Sequence, residues 1–291
     1  MAYDPNQTIA PDWPNELIEP VERLGRPSEV FHFPRQHASR RILLGLILVA
    51  INLIGNVIYF FVLGLPFVPQ FFLLLMFFGP MATGLGLIYA AVRDHGLWVL
   101  IYPSGILRWQ RGQVVTFPWE EIAEIFFHRV VECDRPKRKF GPNGEWLSVW
   151  LPILKMRSRS LGAYVTLRRE DGSEAILPTS LEHFELLVKI VQQETFQVHW
   201  PKMLARLGQG KRVFFGLVSI GASGIYFRDE RLHWRDLDDY LIARGKLIIR
   251  AFGMVKPWVE MPLHMLMSPH LFIALVSYAY EQARAEYRAR Q

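Results

Sequence analysis

"SGILRWQRGQVVTFPWEEI" (Ser104–Ile122) and "SGIYFRDERLHWRDL" (Ser223–Leu237) open on the same tripeptide, and each reaches a Trp followed three residues later by an aliphatic residue. Trp119 aligns with Trp234, and Ile122 with Leu237. In both, β-branched and aromatic residues flank a Gly able to adopt positive φ, so each Ser-Gly-Ile predicts the turn of a β-hairpin. The Trp reads as a core anchor, since an aromatic in this setting packs far more often than it forms a ligand cage.

Outward from these phrases the same order of elements appears twice. "LWVLIY" (Leu97–Tyr102) leads into the first phrase. "AYVTLRREDGSEAILP" (Ala163–Pro178) then predicts a hairpin turning at Asp171-Gly172. A helix follows, with capping-box spacing at Thr179 and Glu182 and an apolar stripe of Phe184, Leu187, Val188 and Val191. After a connector over 197–211, "RVFFGLVSI" (Arg212–Ile220) leads into the second phrase, and "KLIIRAF" and "PWVEMPL" form another hairpin. The last helix places Ser268 at its N-cap and Pro269 at its first position, with Phe272, Leu275, Val276 and Ala279 on one face. The repeated order predicts an internal duplication.

Upstream the chemistry changes. Ile42–Leu63 and Phe71–Val92 contain no Asp, Glu, Lys, Arg or His, and each run has 22 residues. As helices they measure about 33 Å, enough for a hydrocarbon core of roughly 30 Å. "GLPFVPQ" (Gly64–Gln70) holds two prolines, so the runs read as a transmembrane hairpin over 41–93. A cleaved signal peptide fits poorly, because a polar, Pro-containing stretch of some forty residues precedes the first run and a second run follows it. Arg35, Arg40, Arg41 and Arg93 flank the hairpin while its loop has no Lys or Arg, so both termini are expected in the cytoplasm. Asn52 and Asn56 share one helix face, and Gly79, Gly84 and Gly86 surround Pro80; these suit helix packing, and spans without charges argue against a channel or transporter.

The strand meander, the "SGI" turn, the "W-x-x-I/L" strand, the hairpin and the closing helix resemble bacterial pleckstrin-homology-like domains. The arrangement is similar to a family of uncharacterised bacterial membrane proteins, most clearly from "GKRVFFGLVSIGASGIYF" through "RLHWRDL" and "GKLIIR" to "MPLHMLMSPHLFIALV". This resemblance implies the fold and a bacterial inner membrane, and it supplies no catalytic residues. The expected organisation is an N-terminal cytoplasmic tail (1–40), the hairpin (41–93), a first pleckstrin-homology-like domain (94–196), the connector (197–211) and a second such domain (212–291). Together these give a membrane-anchored α+β protein with two small barrels, each capped by a helix.

The first copy departs from the second by an insertion over 128–161. It carries Arg135, Lys137, Arg138 and Lys139, a Gly-Pro-Asn-Gly turn, Trp146 and Trp150, then Lys155, Arg157 and Arg159. A solvated hairpin whose charges protect an edge strand accounts for such a run. The sharper reading is a contact with anionic lipid headgroups or a membrane protein, because basic residues gain attraction at an anionic leaflet and Trp suits the interface.

Catalytic signatures are absent. Gly208-Gln209-Gly210-Lys211 lacks phosphate-loop spacing, Ser223 lacks nucleophile-elbow flanks, and the histidines and the single Cys133 show no zinc spacing. Glu120 and Glu121, read as strand neighbours, point to opposite faces. His264 and His270 suit capping or surface positions. A lone Cys excludes an internal disulfide, and the +6 formal charge is not arranged as a nucleic-acid stripe. The expectation is a scaffold with no enzyme activity and no cofactor, bound to the bilayer, compatible with an oligomer and binding no nucleic acid. An enzyme or small-molecule sensor with a pocket between the copies is the alternative.

Overall fold

The computed structural model describes Leu17 and residues 24–58, 70–128, 130–133, 154–156 and 164–289. Two units share one layout. In the second, four short strands, β10 (Val213–Phe215), β11 (Val218–Gly221), β12 (Gly224–Phe227) and β13 (Glu230–His233), form an antiparallel meander. A single helical turn at Trp234–Asp236 leads into β14 (Leu237–Ala243), β15 (Lys246–Ala251) and β16 (Val259–Pro262), and α4 (Pro269–Ala289) closes the unit.

The first unit repeats this with β2 (Trp98–Tyr102), β3 (Gly105–Gln110) and β4 (Gln113–Pro118), a turn at Trp119–Glu121, then β5 (Ile122–His128), β8 (Tyr164–Arg169), β9 (Glu174–Pro178) and α3 (Phe184–Gly208). Even the irregularities coincide. The β5–β8 register slips between Ile122 and Glu124, and the β14–β15 register slips between Leu237 and Asp239.

The opening strand of the first unit comes from before the apolar runs. β1 (Glu29–His32) pairs antiparallel with β2, Glu29 opposite Ile101 and His32 opposite Trp98. Ser28 N–H and Phe33 N–H extend the ladder to the carbonyls of Ile101 and Leu97. These residues, read from sequence as part of a tail, are therefore the counterpart of β10, and the two helices between them interrupt a β-hairpin. Those helices are α1 (Arg35–Val57) and α2 (Gln70–Asp94), packed against each other. Of the loop read over Gly64–Gln70, residues 64–69 lie outside the described residues and Gln70 opens α2. Among the described residues, one helix window, Ala38–Gly55, is long and apolar enough to cross a membrane, and 17% of it is buried.

The two glycines of the repeated phrase are required by close approach. A Cβ on Gly105 would sit 2.4 Å from the Phe117 carbonyl oxygen, and one on Gly224 would sit 2.1 Å from that of Leu232. Trp119 and Trp234 are buried, as the sequence implies, and each donates its indole N–H to the preceding turn, to Tyr102 O at 3.1 Å and Ala222 O at 2.9 Å.

A single apolar cluster runs through both units, from Phe31 and Val99 through Trp119, Leu167 and Leu187 to Phe215, Trp234 and Phe272. The other face of the first meander is covered by the fully buried Leu17, which packs with Leu100, Leu107 and Trp109. Three local expectations change. The connector is helical as far as Gly208: α3 continues through Pro201 because Trp200 stacks on Phe196 at 4.9 Å and meets Tyr278 edge-on at 5.8 Å. The α3 N-cap is His183 in the left-handed region, without a side-chain cap; Glu182 instead binds β1, its N–H to His32 O and its carboxylate 3.3 Å from the His32 ring. Glu120 and Glu121 lie on the Trp119 turn rather than on a strand.

Candidate functional site

The units interlock through backbone and side-chain hydrogen bonds. α3 touches β10 of the second unit, and α4 touches β5 of the first. Ser268 forms the tightest link. Its N–H donates to Ile125 O at 2.8 Å, and its Oγ accepts from Ile125 N–H at 3.3 Å, as a neighbouring strand would. The hydroxyl expected to cap α4 is thus turned onto the other unit, while the Ser268 carbonyl accepts the first helical bonds, from Leu271 and Phe272 N–H.

Beneath this link lies a polar group between the helices. Gln192, Thr195 and His199 fall on one face of α3, and His270 on the first turn of α4; Gln192, Thr195 and His270 are fully buried. Thr195 Oγ1 donates to Val191 O at 2.6 Å and lies 3.3 Å from His270 Nε2. With its proton committed, the hydroxyl accepts from His270, which places the imidazole proton on Nε2 and leaves Nδ1 buried without a partner. Burial, with the nearby His199, pushes the His270 pKa down to about 3, and burial also lowers His199. His270 is therefore a neutral core residue rather than the cap or surface group anticipated. His264 is exposed and stacks at 6.1 Å on His128, whose pKa is lowered by burial and by His264.

Beside the link an open cleft of about 340 Å³ is lined by Ala123, Glu124, Met203, Phe214, Gly216, Met267 and Ser268 itself. Its one ionisable side chain, Glu124, is held 2.9 Å from Arg168, which also pairs with Glu174 at 2.6 Å. Among the described residues the cleft offers an apolar wall and one carboxylate, paired to an arginine. No group of three or more His, Cys, Asp or Glu suited to a metal occurs among the described residues.

The insertion enters the same junction. β6 (Val130–Cys133) and β7 (Leu154–Met156) pair with each other, and Glu132 of β6 stands opposite Ala243 of β14, so the base of the insertion extends the second unit's sheet in the order β16-β15-β14-β6-β7. Lys155 lies on β7 in register with Glu132. Arg135, Lys137, Arg138, Lys139, Trp146, Trp150, Arg157 and Arg159 lie outside the described residues. Sequence reasoning missed the Ser268–Ile125 link and the Gln192–Thr195–His199 face. The i, i+3, i+7 spacing of three polar residues on an otherwise apolar helix was the signal available for the second.

A family of unknown function, DUF6585, matches residues 145–285, slightly under half of the chain. The matched stretch begins within the insertion and runs through β7, β8, β9, α3 and β10 to β16, so it crosses the junction. No curated protein matches the chain, and no solved structure matches it.

Proposed function

We propose that the chain is an integral membrane protein whose two units are pleckstrin-homology-like modules, fastened to the cytoplasmic face of a bacterial inner membrane as a non-catalytic binding scaffold. The observation that carries this reading is the place of the helical pair inside the first unit's opening hairpin. Two helices leaving adjacent paired strands fix a module against a membrane at two points, whereas a single flexible tether does not. The exposure of Leu43, Leu44, Leu46, Ile51, Leu53 and Ile54 along α1 supports lipid contact, since a core helix of a soluble protein hides such residues. The charge-free run Phe71–Val92 supplies the second span of the proposed hairpin.

Confinement to a membrane face raises the effective concentration of both units toward membrane partners. The basic and aromatic insertion is the surface proposed to meet anionic headgroups or a membrane protein, carried on β6 and β7.

The test uses a Cys133→Ser background with single cysteines at Gln70 or Gln291. Alkaline washing should leave the chain with the membranes, and a membrane-impermeant reagent applied to intact cells should label position 70 and spare position 291. Release by the wash would refute integral anchoring, and labelling at 291 would reverse the orientation.

A further inference from the structure

The outer face of the second unit's meander carries a side-chain group that the first unit lacks. Arg212 immediately precedes β10, Tyr226 lies on β12 directly opposite Arg231 on β13, and Ser223 sits in the turn before β12. The Arg212 guanidinium lies 3.7 Å over the Tyr226 ring, and the Tyr226 hydroxyl is 2.7 Å from Ser223 Oγ. Gly221 makes room for this stack: a Cβ there would come within 3.1 Å of Tyr226 Cε2 and 3.5 Å of Arg212 Cγ. The hydrogen bond with Ser223, and after it the two arginines, hold the Tyr226 phenol below its ordinary pKa, so positive potential converges on that oxygen.

Folding alone does not account for the group. The shared register places Ser28, Tyr102, Leu107 and Thr116 of the first unit where the second has Arg212, Gly221, Tyr226 and Arg231. The first unit's meander is built equally well without them. The arginines of the first unit's other sheet are neutralised: Arg168 by Glu124 and Glu174, Arg169 by Glu121 and Asp171. Among the described residues, neither Arg212 nor Arg231 has a carboxylate within 4.0 Å. Glu230, next to Arg231 on β13, points to the opposite face by strand alternation.

We propose that Arg212, Ser223, Tyr226 and Arg231 form a binding site for a phosphate monoester. Two guanidinium forks and two hydroxyls offer more donors than a carboxylate can accept, and match the several oxygens of a phosphate. Stacking on Tyr226 holds the Arg212 fork in place before the ligand arrives, which lowers the ordering cost of binding. The site stands apart from the membrane reading and does not depend on it. The same chemistry fits a soluble phosphate or a lipid headgroup.

The full chain in a neutral detergent is titrated by calorimetry with inorganic phosphate and, separately, with dihexanoyl phosphatidic acid. Binding of at least one probe is expected, and which one binds identifies a soluble or a lipid source. Arg212→Gln and Arg231→Gln should each weaken it by about tenfold or more, the loss of one charge-assisted hydrogen-bonding group. Arg228→Gln, an exposed arginine one residue beyond β12, should leave it unchanged. Tyr226→Phe keeps the ring under Arg212 and removes only the hydroxyl, so it reports on the site even where an arginine variant folds poorly; a severalfold weakening is expected. The proposal is overturned if neither probe binds, if Arg228→Gln weakens binding as much as Arg231→Gln, or if Tyr226→Phe binds like the parent.

Discussion

Gly45 and Gly84 face each other across the α1–α2 pair, each lying close to the other's carbonyl oxygen. A Cβ on Gly45 would lie 2.7 Å from the Gly84 carbonyl oxygen and 2.6 Å from Ile88 Cγ1, and a Cβ on Gly84 would lie 2.8 Å from the Gly45 carbonyl oxygen. Opposed small residues let helix backbones approach closely, which lengthens the contact between the two helices. Gly84→Leu should therefore cost about 1–3 kcal/mol by overpacking. Gly86→Leu, at a site with no atom within 4 Å of the added carbon, should be close to neutral. Thermal unfolding of the full chain in detergent compares them; equal melting temperatures would show that the crossing lies elsewhere.

Trp119 and Trp234 test the duplication. Replacing either with Ala should destabilise by roughly 3–5 kcal/mol, the range for large aromatic truncations in a core. Replacing either with Phe keeps most of the buried area and should cost about 1–2 kcal/mol, because Tyr102 O or Ala222 O loses its indole donor. Limited proteolysis reads the result. Since one apolar cluster joins the units, both should become sensitive in either Ala mutant, and confinement of cleavage to the mutated unit would show that they unfold separately.

His270 couples stability to pH with a definite sign. Its folded pKa, pushed to about 3, is below the ordinary value of 6.5, so between these values the unfolded chain takes up a proton that the native one refuses. Stability is lost as pH falls through that window and is unaffected by His270 above it. Between pH 7 and pH 5 the loss from this group is about 2 kcal/mol. His199 and His128, both lowered, act in the same direction. His270→Gln keeps a neutral donor for Thr195 and should flatten the dependence by that amount in denaturant titrations at the two pH values; an unchanged slope would contradict a buried neutral imidazole.

Ser268 separates a strain effect from a linking effect. It adopts φ 43°, where a side chain costs about 1 kcal/mol, yet its hydroxyl accepts from Ile125 N–H. Ser268→Ala retains the strain and strands a buried N–H, for an expected loss of about 1–3 kcal/mol. Ser268→Gly relieves the backbone and should lose less. Equilibrium unfolding ranks the parent above Gly and Gly above Ala; Ala equal to the parent would remove the link.

What the sequence makes legible is local or repeated. The paired phrases expose the duplication because the same close approach at Gly105 and Gly224, and the same buried indole, impose the same residues twice. The apolar runs expose α1 and α2 because length and composition suffice. β1 stays hidden because "EVFH" is four residues with a partner that follows only after both helices, and no local pattern carries that pairing. The α3 extension is hidden by Pro201, whose breaking tendency yields to the packing of Trp200. Of the sites, the basic insertion was visible as composition. The Arg212–Tyr226–Arg231 group was not, since it forms only when β12 and β13 are aligned and Gly221 clears the space for it.

The interrupted hairpin also fixes an order of events at the ribosome. Glu29–His32 leave the exit tunnel first and Trp98–Tyr102 only after both helices have been made, some seconds later at about 5–20 residues per second. Until then the nascent strand has no partner, and the first meander cannot close. The helical pair must be folded back on itself before the strands it separates can meet, so completion of the first unit reports that α1 and α2 have been correctly laid down. A chain with a misplaced helix would keep an unpaired strand edge exposed, a form that proteolytic surveillance can distinguish from the finished protein.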